Sequence, residues 1–135
     1  MATLVRKNFL GQTLSSEPQP GKRLLEPLKS FAIEHSLPFK ILEENNVVNT
    51  AEIHESEGDL WICLEGTVTF ICGGTLGNPQ RLEKDPREWK GDSIDGGEEF
   101  ILHPDDILWI PAREPHLHKT DGVTRLLIVK IPERI

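Results

Sequence analysis

Long apolar runs are missing from this chain of 135 residues: no stretch approaches the roughly 20 apolar residues that cross a bilayer, so no helical membrane span is expected. The N-terminal MATLVRKNFLGQ lacks the apolar core of a secretory signal, which sets the expectation of a soluble, cytoplasmic protein. Clustered positive charge is missing as well. Lys and Arg are scattered along a chain of net charge −7, which repels phosphate backbones, so nucleic acid is not an expected partner and a small-molecule ligand is. Cysteine is scarce. With no export signal, Cys63 and Cys72 are expected as buried free thiols, not as a bridge. No internal repeat is visible, and the length allows one core and excludes two.

What is present is a change of period along the chain. Residues 1–38 read as an N-terminal arm with one short helix. Within it LVRKNFL is a candidate short strand, SSEPQPG is a turn-forming linker, and Leu28, Phe31 and Ile33 fall near helical spacing in a helix expected over about 26–35, with Pro27 in its first turn. From Phe39 onward short runs rich in apolar and β-branched residues are separated by turn signals, which predicts an all-β domain over 39–135. Leu60 to Leu64 and Thr67 to Cys72 read as a hairpin with its turn at Glu65-Gly66. Residues 73–99 are polar, rich in Gly and Pro and without period; they read as a long solvated excursion or as a lid over a pocket.

The polar residues inside these strands carry the chemistry. Glu52 and His54 are two apart and share one face of a strand, as do His116 and His118 far along the chain. Asp59 opens the strand after the Ser56-Glu57-Gly58 turn, expected to run back beside the first. Imidazoles and carboxylates held by rigid strands suit a divalent first-row metal. Trp61 and Cys63 share the face of Asp59. Trp61 reads either as a wall for a substrate or as core filling, and the same two readings apply to Trp109. No helix N-terminus or basic cluster stands near Cys63 to lower its pKa, so an inert thiol is the default.

The spacing of these residues resembles the two signature motifs of the cupin superfamily. The first block reads Asn46, five residues, Glu52-Ile53-His54, four residues, Asp59, six residues, Gly66. The second reads Asp105, five residues, Pro111-Ala112-Arg113, two residues, His116, three residues, Thr120. Cupins usually carry Gly, His-X-His, Glu and Gly in the first block, and Gly, Pro-X-Gly, His and Asn in the second. The match covers about half the chain and meets every spacing, while Glu52 stands for a His, Asp59 for a Glu, and Asn46, Asp105, Arg113 and Thr120 for Gly, Gly, Gly and Asn. Asn and Asp take the positive φ of a turn glycine more readily than most residues, and Arg113 is the least comfortable of the substitutes. Taking His54 as the first ligand would put Ser56 second and leave only two residues before Asp59, so Glu52 is the better first ligand.

The resemblance implies a double-stranded β-helix, a jelly-roll-like barrel with a short N-terminal arm and helix. It also implies one divalent metal ion (Mn, Fe, Ni or Zn) held by Glu52, His54, Asp59 and His116. His118, beside His116, reads either as the candidate catalytic acid/base or as a partly exposed structural histidine, with Trp61, Trp109 and Arg113 as candidate substrate contacts and Arg113, better than Lys130, as the anchor for an anionic group. A homodimer is expected, with LVRKNFL adding as an edge strand to a neighbour. Two functions are open: a metalloenzyme (isomerase, lyase or dioxygenase) using Lewis-acid or dioxygen chemistry on a small polar organic acid or sugar-like molecule, or a non-catalytic binding or sensor module.

Overall fold

The computed structural model describes residues 1–133. Apolar alternation over 39–133 resolves into a succession of strands: β2 Phe39–Asn45, β3 Ala51–His54, β4 Glu57–Glu65, β5 Val68–Cys72, β6 Thr75–Gly77, β7 Gln80–Arg81, β8 Glu88–Gly91, β9 Ser93–Asp95, β10 Glu98–Leu102, β11 Ile107–Ile110, β12 His116–Lys119 and β13 Val123–Pro132. Before them come helix α1 Lys7–Leu14, strand β1 Gly21–Leu24 and helix α2 Leu28–Glu34. All pairings are antiparallel. One sheet has the order β1-β2-β13-β4-β11, the other β10-β5-β12-β3-β8-β7, and β6 pairs with β9 alone. The two large sheets face each other as the walls of a double-stranded β-helix, as expected.

The inward residues of each wall make the core. Trp61, Cys63, Leu42 and Leu126 from the first sheet meet Phe70, Val68, Cys72 and Leu102 from the second, and each of these is buried. Their side chains account for the alternation seen in the sequence, because every second residue of a strand faces the partner sheet.

Three sequence expectations are corrected by the topology. β4 and β5 do not form a hairpin, because they belong to different sheets; at Glu65-Gly66 the chain crosses from one wall to the other. Gly66 makes that crossing with φ 75°, and a Cβ there would stand 2.3 Å from the Val123 carbonyl oxygen, so only glycine fits. β3 and β4 likewise lie on opposite walls, so Asp59 faces Glu52 and His54 across the barrel. Residues 73–99 are not an unstructured excursion: they hold β6 to β9, and β8 pairs with β3 along its whole length.

The arm also departs from expectation. Lys7–Leu14 is a helix, so no strand stands ready there to pair with a neighbouring molecule. Phe9, Leu10 and Leu14 pack on Leu25, Leu28 and Ile41 in a second apolar cluster outside the barrel. Arg125, buried in β13, donates to the carbonyls of Leu14 and Ser16 and so satisfies the end of α1. Its guanidinium is paired with fully buried Glu43, which also accepts from Arg23. β1 joins the first sheet beside β2, and α2 follows over 28–34 with Pro27 at its N-cap, inside the span expected for a helix.

Candidate metal centre

Strand register brings the motif residues together. Glu52 on β3 lies directly opposite His116 on β12, and His54, two residues on, lies opposite Glu88 on β8. Cross-strand neighbours share a face, so these side chains leave one wall side by side. From the opposite wall Asp59 of β4 points back at them, with Lys130 of β13 beside it in register. Ligand atoms of Glu52, His54 and His116 lie within 4.8 Å of one another. Asp59 Oδ2 stands 3.5 Å from both His54 Nε2 and His116 Nε2, and Glu52 Oε1 stands 3.7 Å from both.

Each imidazole is oriented from behind. His54 Nδ1 is 2.6 Å from Glu88 Oε1, and His116 Nδ1 is 3.0 Å from the Glu114 carbonyl oxygen. A carbonyl can only accept, so His116 carries its proton on Nδ1 and presents the Nε2 lone pair to the centre; Glu88 favours the same tautomer in His54. Pairing of this kind is what holds imidazole ligands toward a metal. Three atoms at the centre, His54 Nε2, His116 Nε2 and Asp59 Oδ2, are buried without a hydrogen-bond partner. Buried polar atoms are rarely left so, and here all three belong to groups that coordinate metals.

Charge gives the same reading. Glu52, Asp59 and Glu88 are three carboxylates and Lys130 is one ammonium, which leaves two negative charges around neutral imidazoles, the amount a divalent cation neutralises. In the metal-free chain a proton answers that demand. Burial works to lower the pKa of His54, but the carboxylate of Asp59, 3.5 Å from its Nε2, together with the charge of Glu52, outweighs it and raises the pKa to about 9. Burial works to raise Asp59, and His54 with Lys130 overcomes it, holding the carboxyl down at about 2. Lys130 Nζ donates to Asp59 Oδ1 at 2.7 Å, which leaves the other oxygen turned toward the imidazoles.

A cavity of about 890 Å³ opens onto this centre, with Glu52, His54 and Lys130 in its wall and Trp61, Leu42, Leu24 and Ile128 along its floor. Trp61, 3% exposed, lines the cavity and packs on Phe70.

Three expected contacts are elsewhere. His118 does not line the cavity: it is 1% exposed, stacked between Trp61 and Phe70, with Nε2 at 2.5 Å from buried Glu44, and it belongs to the core. Trp109 is 49% exposed on the outside of β11, where its ring covers Gly58. Arg113 spends its guanidinium on Glu133 and the Glu55 carbonyl and holds the centre through its backbone instead, its N–H donating to the His54 carbonyl at 2.7 Å. Cys63 and Cys72 are free, buried thiols; burial pushes Cys72 up to about 12, aided by Glu114 and Glu98, so neither is a ready nucleophile.

Glu88 is not among the candidates the sequence offers, because residues 73–99 show no period. Its signal was local: Glu88-Trp89-Lys90 is a short strand pattern between the turn formers Pro86 and Gly91.

No family model matches the sequence, and no curated protein matches it. Solved structures do. E. coli ycfD superposes with a TM-score of 0.61 at 16% identity, over 90% of this chain and 37% of that one. The Drosophila melanogaster CENP-C cupin domain gives 0.52 at 7% identity, over 72% of this chain and 58% of that one. CENP-C of the same fly bound to CAL1 gives 0.51 at 7% identity, over 69% and 64%. The chain thus spans less than two thirds of the length of each, and at these identities the likeness is one of fold.

Proposed function

We propose that this chain, whose fold is that of the cupins, is a metal-dependent enzyme acting on a small polar organic acid or sugar-like molecule. One observation carries the reading: His54 Nε2, His116 Nε2 and Asp59 Oδ2 are buried, unpartnered and turned toward one another from two walls of the barrel. The fit to a divalent ion is chemical as well as geometric, because two imidazoles with one or two carboxylates suit Mn, Fe, Ni or Zn. Glu52, His54 and His116 would hold the ion, with Asp59 as a fourth ligand. With Asp59 left to Lys130, the remaining set of two imidazoles and one carboxylate has the composition of non-haem iron centres with open positions.

A bound ion supplies Lewis acidity to an oxygen of the substrate or, as iron, dioxygen chemistry. The chain's own residues do the rest. Glu88 and the Glu114 carbonyl keep the imidazoles in one tautomer. Lys130, at the cavity wall, places an ammonium where negative charge would develop on a substrate oxygen, which stabilises it without reorganisation. Trp61, Leu42 and Ile128 give the cavity an apolar lining beside the centre.

The second reading, a binding or sensor module without turnover, draws on His118: with that residue paired to Glu44 in the core, its imidazole is not offered to a substrate as acid or base. A homodimer belongs to either reading, and light scattering showing a stable monomer at micromolar concentration would remove it. The test of the centre is elemental analysis of the purified protein and of its Glu52→Ala and His116→Ala variants. Stoichiometric metal in the parent and its loss in both variants is expected; no metal in the parent, or full retention in both variants, refutes the ligand set.

A further inference from the structure

The cavity beside the metal centre has the opposite charge to the rest of the molecule. The chain carries 22 acidic and 15 basic residues, yet the residues lining the cavity include five basic ones, Lys22, Arg23, Lys29, Lys40 and Lys130, and one acid, Glu52. Register explains how the fold does this. Lys130 lies opposite Asp59, and Lys40 lies opposite Ile128, which in turn lies opposite Trp61; cross-strand neighbours share a face, so both lysines stand on the concave side of the first sheet. Lys29 reaches the same opening from α2.

These cations differ in what they are paired with. Arg23 is taken by Glu43, and Lys130 by Asp59 and Glu57. Among the described residues, Lys22 donates to the neutral amide of Asn49, at 3.2 Å. Among the described residues, Lys29 and Lys40 have no carboxylate within ion-pair distance. Ammonium groups without a carboxylate partner that line one cavity repel one another, and an anion placed among them relieves that repulsion. Lys29 is exposed and Lys40 half-buried, which puts both on the solvent side of the cavity, its rim, while Leu24, Leu42, Trp61 and Ile128 give the same cavity an apolar lining.

We propose that the ligand of this cavity is a small organic acid with an oxygen donor at the metal end and a second anionic group, carboxylate or phosphoryl, held by Lys29 and Lys40 at the rim. This rests on the metal-centre reading above and selects, from its substrate classes, the diacid over the neutral sugar.

Succinate, butyrate and glucose are the probes, titrated calorimetrically into the metal-loaded protein. Succinate binds about tenfold more tightly than butyrate and glucose does not compete, since the two acids differ by one charge at the rim. The Lys29→Gln, Lys40→Gln double variant brings succinate down to the affinity of butyrate; both side chains reach solvent, and circular dichroism confirms that the variant is folded. Replacing succinate by 3-phosphonopropionate tells which anionic group the rim prefers, and a gap over butyrate with either supports the proposal. Equal affinity for succinate and butyrate, displacement by glucose, absence of binding, or an undiminished gap in the double variant overturns it. Metal content is read in every sample. A lysine-dependent gap in protein that holds no metal refutes the metal centre and leaves the rim standing, whereas bound metal without the gap does the reverse.

Discussion

His54 Nδ1 and Glu88 Oε1 stand 2.6 Å apart across the β3–β8 pair, so a residue from the least regular part of the sequence fixes the orientation of a central imidazole in the candidate metal centre. Removing such a partner leaves the ring free to rotate and to change tautomer. Glu88→Ala should weaken metal binding by about 10- to 100-fold, and Glu88→Gln, which keeps an acceptor, by less. Competition against a chromogenic chelator measures this, and equal affinity in all three proteins would show that Glu88 does not orient His54.

Binding a cation to the folded state alone should also stabilise the fold. With free metal at about 100 times its dissociation constant, stability rises by about 2.7 kcal/mol, which for a domain of this length is a rise in melting temperature on the order of 10 °C. Chelator should reverse it. Differential scanning fluorimetry in Mn, Fe, Ni and Zn ranks the ions, and Glu52→Ala should shrink the shift. An equal shift in protein lacking both His54 and His116 would place the ion somewhere else.

The Glu43 network makes a prediction independent of the centre. Glu43, with none of its surface exposed, bonds Arg125 and Arg23, and through Arg125 it ties α1 to the barrel. Glu43→Ala leaves a buried guanidinium without its partner and should cost about 3–5 kcal/mol in denaturant titrations. The pH dependence follows in sign. Burial works to raise the Glu43 pKa, but the hydrogen bonds from Arg23 and Arg125 outweigh it and hold it below the ordinary 4.5. A depressed carboxylate contributes its stability above the unfolded value and loses it as pH falls through the folded one. The parent should therefore lose stability below about pH 4.5, with a shallower acid limb in Glu43→Ala; parallel limbs would show that the network does not titrate.

The sequence disclosed the site more readily than the path of the chain around it. Glu52, His54 and His116 could be placed on common faces because alternation is a local property of a strand, and the motif spacing tied the two blocks together. Alternation does not say which sheet a strand joins, so the sequence around Glu65-Gly66 predicts a hairpin although β4 and β5 lie on opposite walls. Helix α1 was hidden because Lys7–Leu14 is short, holds Gly11 and has no side-chain N-cap; it forms through packing on Leu25 and Leu28 and through Arg125, which are distant in sequence. His118 shared a face with His116 as expected, yet alternation could not reveal that Glu44 would claim it.

Asn46, Asp105 and Arg113 stand where cupins usually place glycine, and all three adopt positive φ, at 55°, 77° and 72°. Asn and Asp accept that conformation easily; for Arg it is strained. At Arg113 the strain serves the centre, since the turn aims the backbone N–H at the His54 carbonyl and fixes the end of β3. The side chain, 60% exposed and paired with Glu133, returns little of the cost, because an exposed ion pair contributes about 0–1 kcal/mol. Arg113→Gly keeps the N–H and removes the strain, so it should raise stability by about 0.5–1 kcal/mol and leave metal affinity unchanged. Arg113→Pro removes the donor and cannot adopt a positive φ, so it should lower both. Chemical denaturation and metal titration on the two variants separate backbone from side chain: a Gly variant that loses metal would return the guanidinium to the list of functional groups.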